Sequence, residues 1–279
     1  MKYLLSFLAI LTLATLACGF SVDIPSVPTA GPAVTEEISV AVPESDGIRL
    51  KISFGAGELT LSPGAEEVLV EGTATYTIQG LEPEIKIQGG TVEIDQGEFK
   101  SLNVTDFKNE WDLKLGEMPM ELEISAGAYQ GRYEFGGLAL SNLTIKDGAS
   151  DVRVSFSAPN QTEMAVFRYE TGASNVDLTG LANANFSTLI FNGGAGDYSL
   201  DFSGDLQQDT NARIETGFGD LNLIIPEGVD ARVTVEGGAV NVNHSSGWAQ
   251  SNQTYTQEGS GPTLTVLVKM GAGNVTITD

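Results

Sequence analysis

All-β, wound as a single-stranded parallel β-helix (β-solenoid) with rungs of about 22 residues and an N-terminal β cap, is the fold class the sequence predicts. A Gly-rich signature recurs along the chain, its copies are evenly spaced, and apolar residues alternate on both sides of it. The signature reads Gly55-Ala56-Gly57-Glu58, Gly127-Ala128-Tyr129-Gln130, Gly148-Ala149-Ser150-Asp151, Gly172-Ala173-Ser174-Asn175, Gly194-Ala195-Gly196-Asp197, Gly217-Phe218-Gly219-Asp220 and Gly271-Ala272-Gly273-Asn274, with a shortened copy at Gly237-Gly238-Ala239. The first glycines at 127, 148, 172, 194, 217 and 237 are 21, 24, 22, 23 and 20 residues apart, a period that marks stacked units.

Leu50 and Ile52, Leu122 and Ile124, Leu143 and Ile145, Phe167 and Tyr169, Leu189 and Phe191, and Val266 and Val268 stand five and three residues before their glycine. Around Gly237 this register slips by one, to Val233 and Val235. A period of two belongs to half-buried strands, and it resumes after the turn at Leu59 and Leu61, Val152 and Val154, and Leu221 and Leu223. Each unit therefore reads strand, glycine corner, strand. Glycine supplies the sharp bend, the small second residue is expected to tuck inside, and the polar fourth residue to hydrogen-bond the turn. One such unit cannot bury its apolar face alone, but units stacked about 4.8 Å apart share a continuous core.

The solenoid repeats are assigned to residues 121–279, interrupted by a polar excursion over 244–261. Residues 48–120 are less regular and hold either about three further rungs or a small β subdomain that caps the open end. Residues 18–47 contain Pro25, Pro28, Pro32 and Pro43, which read as an extended tether. Residues 1–17 join Lys2 to an apolar run too short to span a bilayer, as in a signal peptide. Thr15-Leu16-Ala17-Cys18 resembles the lipobox of bacterial lipoproteins, with Thr15 where Leu is usual; the resemblance implies cleavage before Cys18 and its lipidation. The alternative is an ordinary secretory leader with a chance cysteine.

Cys18 is the single cysteine, so the body has no disulfide, cysteine–zinc cluster or cysteine nucleophile. Without residues 1–17 the chain has 13 basic side chains (14 less Lys2) against 37 acidic ones, a net −24 that repels nucleic acid and anionic headgroups.

The run from Leu50 to Leu61, with Val70-Glu71-Gly72-Thr73, Pro83-Glu84-Ile85, Gly90-Thr91-Val92-Glu93-Ile94, Asn109-Glu110-Trp111-Asp112-Leu113 and Pro119-Met120-Glu121-Leu122, resembles the bacterial toast-rack family. The Gly-Ala-Gly-Asp repeats that follow resemble "putative adhesin" and cell-wall-active-antibiotic-response domains. The resemblance implies a β-solenoid on an envelope protein and brings no catalytic residues.

His244 is the only histidine and has no partner pattern around it. The repeated Gly-x-Gly precedes strands, not a helix N-terminus, and so is no dinucleotide fingerprint. In the fourth signature position Asp197 and Asp220 fall on adjacent rungs, where they either cap turns within a polar ladder or share a Ca²⁺ ion; no Ca²⁺ motif is present. Trp248 and Tyr255, in the polar excursion, are either exposed ligand-binding platforms or packing beneath a loop. The expectation is a non-enzymatic lipoprotein, exported and membrane-anchored on the bacterial surface or envelope, that presents the solenoid to a cell-wall, glycan or protein ligand. Two alternatives stay open: a structural or envelope-stress-responsive component, and a polysaccharide-active β-helix enzyme.

Overall fold

The computed structural model describes residues 30–97 and 107–279. The leader, Cys18 and the first part of the tether lie outside them. The described residues are all-β apart from one 3₁₀ turn, Leu181–Ala184, and among them no helix is long and apolar enough to cross a membrane.

Seven long elements carry the repeat: β2 (Ile48–Pro63), β7 (Met120–Glu134), β10 (Met164–Thr179), β11 (Phe186–Asp201), β12 (Thr210–Ile224), β13 (Asp230–His244) and β16 (Thr263–Thr278). The pair β8 (Leu140–Lys146) and β9 (Ala149–Ser155) forms an eighth unit, broken at Asp147-Gly148. All run parallel and in register, in the order β2, β7, β8/β9, β10, β11, β12, β16, β13. Chain order and stacking order part at the end, because β16 lies between β12 and β13. The one-residue slip at Gly237 is also explained. Val233 and Val235 pair with Val266 and Val268, and Ala239 with Ala272, so Gly238 is the counterpart of Gly271.

The alternation becomes columns of buried side chains. One runs Val92, Leu50, Leu122, Leu143, Phe167, Leu189, Ala212, Val266, Val233 and Tyr255, each paired with the next. Aromatic rings bridge rungs within this core: Phe156–Phe167 at 6.0 Å, Phe167–Phe186 at 6.2 Å and Tyr169–Phe191 at 5.4 Å between centroids. Such pairs add about 0.5–1.5 kcal/mol each beyond the area they bury.

At the corners the first glycines stack on one another. A Cβ added at Gly148, Gly217 or Gly271 would meet the carbonyl oxygen of the preceding rung's glycine at 3.1, 2.7 or 2.5 Å, and at Gly172 and Gly194 it would come closer still. Glycine recurs here because the neighbouring rung's backbone occupies the side-chain position. The second signature residue does not tuck inside as expected. Ala128, Ala149, Ala173, Ala195 and Phe218 are exposed, and the third residue turns inward instead, as Tyr129 and Ser174 show by their burial.

Inside the corner Asp147 accepts hydrogen bonds from Tyr169 Oη (2.7 Å) and from Thr171 Oγ1, and Tyr133 Oη donates to Tyr129 Oη (3.0 Å). Burial pushes the Tyr129, Tyr133 and Tyr169 phenols well up from their ordinary value. Burial, with the Asp147 and Asp197 charges, pushes Tyr198 up to about 12.

Both ends close differently from the middle. At the first end β2 is flanked by further strands. β5 (Thr91–Gln96) lies parallel to the first half of β2 and β6 (Asn109–Leu115) parallel to its second half. β4 (Pro83–Gln88) pairs antiparallel with β5, and β3 (Val70–Tyr76) with β6. The tether is shorter than expected: Val34–Val40 form β1, antiparallel to β3, and bury Ile38 and Val40. Residues 244–261 cap the other end through β14 (Ala249–Ser251) and β15 (Thr254–Gln257), antiparallel to each other, with β15 also antiparallel to β13.

Candidate ligand-binding face

The fourth signature residues follow a corner whose third residue turns inward, so they point out. Parallel register then aligns them into one ladder: Glu110, Glu58, Gln130, Asp151, Asn175, Asp197, Asp220, Asn274 and Asn241. Two residues further along, a second outward ladder runs Arg132, Arg153, Asp177, Ser199, Asn222, Thr276 and Asn243. Both belong to the half-strands after the glycine corner, so they share one face.

A shallow trough follows these ladders. Its middle is a groove of about 360 Å³ that includes Asp151, Arg153, Asn175, Asp177, Asp197 and Asn222. Gln130, Arg132, Asp151 and Arg153 continue it, and a wider concavity of about 630 Å³ beside Glu58, Lys108, Glu110 and Gln130 ends it near β6.

Asp197 and Asp220 do pair on adjacent rungs. Carboxamides relieve the charge beyond them, since Asn274 Nδ2 donates to Asp220 Oδ1 at 2.6 Å and Asn241 Nδ2 to Asn274 Oδ1 at 3.2 Å. Ca²⁺ takes six to eight oxygens. Among the described residues no group of three or more His, Cys, Asp or Glu is arranged to hold a metal ion, and in the ladder Asp197 and Asp220 are two carboxylates in succession.

Trp248 and Tyr255 are not exposed platforms. Their exposures are 5% and 4%, and both join the apolar core. Tyr255 pairs with Val233 and extends a core column by one rung, so a solvent-filled end of the solenoid is what these rings prevent. His244 is exposed beside Tyr255, with ring centroids 5.3 Å apart, away from the carboxylates of the trough.

Among the described residues Phe218 is the exposed large hydrophobic residue that carries an aromatic ring, at 65%. It stands at the second signature position between Ala195 and Ala272, two residues before Asp220 and on the rim of the ladder. Sequence reasoning missed it by assigning that position to the interior. The signal was a bulky ring where the other full signatures carry alanine.

A solved structure from Clostridium sporogenes, described as a "putative cell adhesion protein", is 21% identical, covering 88% of this chain and 99% of its own, with a TM-score of 0.48. A "putative adhesin" from Bacteroides fragilis is 11% identical over 90% of this chain and 99% of its own, with a TM-score of 0.40. A "putative lipid binding protein" from Parabacteroides distasonis is 14% identical over 89% and 98%, with a TM-score of 0.37. No curated protein matches the chain. The family model for the N-terminal domain of toast_rack (DUF2154) matches residues 29–167 and again 166–224, reaching beyond the 48–120 region into the repeats. With the larger part of its length so matched, the chain belongs to the toast-rack family.

Proposed function

We propose that the protein is a non-enzymatic envelope lipoprotein whose body, a single-stranded parallel β-helix of about 22-residue rungs, binds an extended, hydroxyl-rich polymer along the trough. The observation that carries this reading is the trough itself, where a ladder of carboxylates and carboxamides repeats at every rung beside a second ladder of two arginines, an aspartate, carboxamides and hydroxyls. Rungs repeat at about 4.8 Å, close to the length of one sugar in an extended chain, so successive sugar hydroxyls meet successive acceptors. The net charge of −24 after leader removal disfavours anionic polymers and leaves neutral or cationic glycans. Phe218 adds an apolar face on which a sugar ring can stack.

The leader and Cys18 support an anchored location on the bacterial surface or envelope, with acyl chains in the membrane and the segment between Cys18 and β1 as spacer. Each buried acyl methylene contributes about 0.8 kcal/mol, and lipoprotein-type multiple acylation makes the anchor durable.

The test is capture of the protein on neutral, cationic and anionic cell-wall and matrix polymers, with and without EDTA. Saturable capture on neutral or cationic glycans supports the reading. EDTA sensitivity would restore Ca²⁺ at Asp197 and Asp220, and capture on none of the polymers would overturn the binding role.

A further inference from the structure

We propose that β4 is a homodimerisation edge, paired antiparallel with β4 of a second copy, with Ile85 facing Ile85 on the two-fold axis and Glu84 facing Lys86 on either side. Among the described residues β4 has β5 as its only strand partner, leaving its other edge open. Its apolar face is uncovered too: Ile85 and Ile87 are 41% and 54% exposed, whereas their β5 neighbours Ile94 and Val92 are fully buried. Open strand edges that do not pair are normally blunted by charge or brevity. β14 has three residues, and β1 carries Glu36 and Glu37 without a cation, so pairing β1 with itself about its centre sets carboxylates together. β4 has twice the length of β14 and, unlike β1, carries charges of both signs, so Glu84 and Lys86 do not bar pairing with a second copy.

Hairpin geometry fixes which groups are available. Gln88 and Thr91 close a two-residue loop over Gly89-Gly90, so residues 84, 86 and 88 exchange backbone hydrogen bonds with β5. Ile85 and Ile87 then point their N–H and C=O groups outward, and Pro83 offers a C=O. Self-pairing with Ile85 opposite Ile85 sets Ile87 N–H against Pro83 C=O and Glu84 against Lys86 of the other copy, twice over. Moving the register by one step, to Ile85 opposite Ile87, puts Lys86 against Lys86. Charge selects the first register, because cross-strand opposite charges attract and like charges repel. Lys86 is already drawn toward carboxylates on that face, 3.4 Å from both Glu84 and Asp95.

A contact of one short strand pair is small, so sedimentation is read across a concentration series reaching hundreds of micromolar. The full chain carrying Cys18→Ser is expected to dimerise reversibly. Glu84→Lys and Lys86→Glu each abolish the dimer, and the combined exchange restores it. In the same background Ile85→Cys cross-links under mild oxidation, because facing residues of antiparallel strands lie within disulfide reach. Ile87→Cys, more exposed but opposite Pro83, does not. A monomer at every concentration, a double exchange that fails to restore pairing, or cross-linking of Ile87→Cys as fast as Ile85→Cys would each overturn the assignment.

Discussion

Replacing Gly271 and Gly148 by alanine separates the close approach of rungs from a mere preference for small residues. At Gly271 the new Cβ would stand 2.5 Å from the Gly217 carbonyl oxygen, against about 3.4 Å for ordinary contact, so that carbonyl must yield by about 0.9 Å. A displacement of that size breaks the inter-rung hydrogen bonds on either side, at about 1 kcal/mol each. The lower entropy of unfolded alanine returns about 0.4–1 kcal/mol. The net expectation for Gly271→Ala is a loss of about 1–2 kcal/mol. At Gly148 the corresponding distance is 3.1 Å, a shortfall of about 0.3 Å that side-to-side breathing of the rungs absorbs, so Gly148→Ala should lie within about 0.5 kcal/mol of the parent. Neither glycine has a positive φ, so backbone strain does not enter the comparison. Equilibrium urea unfolding, followed by fluorescence of the buried Trp111 and Trp248, gives both values from the midpoints at unchanged slope. Equal losses for the two variants, or a larger one at Gly148, would refute the reasoning.

Phe218→Ala should weaken binding of a neutral glycan about tenfold, as expected for one stacked ring, while the unfolding midpoint stays put. Trp248→Ala should do the reverse, costing about 3–5 kcal/mol by opening the C-terminal cap without touching the trough, as urea unfolding would register. Alkaline titration provides a third check. Folded pKa values above the unfolded value of about 10 mean that the tyrosine contribution is complete below that pH and lost as pH rises further. Unfolding midpoints should therefore fall above about pH 10, and tyrosinate absorbance from Tyr198 should emerge only near 12. In cells, Cys18→Ala should move the protein from the membrane fraction to the soluble one; unchanged partitioning would remove the anchor from the account.

Much of this architecture is legible in local pattern. Leu143 and Ile145 before a glycine, Val152 and Val154 after it, and the same arrangement some 22 residues later specify a strand, a corner and a neighbour. Parallel stacking then makes the ladder at Asp197 and Asp220 readable, because residues at equal places in successive repeats must be neighbours. What escaped depends on non-local placement. Nothing in the spacing says that β16 inserts between β12 and β13, since that choice is settled by which rung ends up covered by β14 and β15. Val34–Val40 sits among prolines and short polar residues, yet Ile38 and Val40 find an apolar surface that only the folded β3 supplies. The polar neighbours of Trp248 and Tyr255 left exposed platforms and packing beneath a loop both open, and burial at the end of the core decides for packing. Phe218 was hidden by a single wrong inference about which way the second corner residue points.

Whether the trough is the binding surface is tested most directly by comparing the parent with an Asn175→Ala/Asp197→Ala variant in saturation binding to one neutral cell-wall glycan. Both side chains are exposed, so folding should be unaffected and the unfolding midpoint serves as the control. The account predicts saturable binding by the parent and a loss of tenfold or more in the variant at an unchanged midpoint. Equal affinities for the two proteins would place the ligand elsewhere and contradict it.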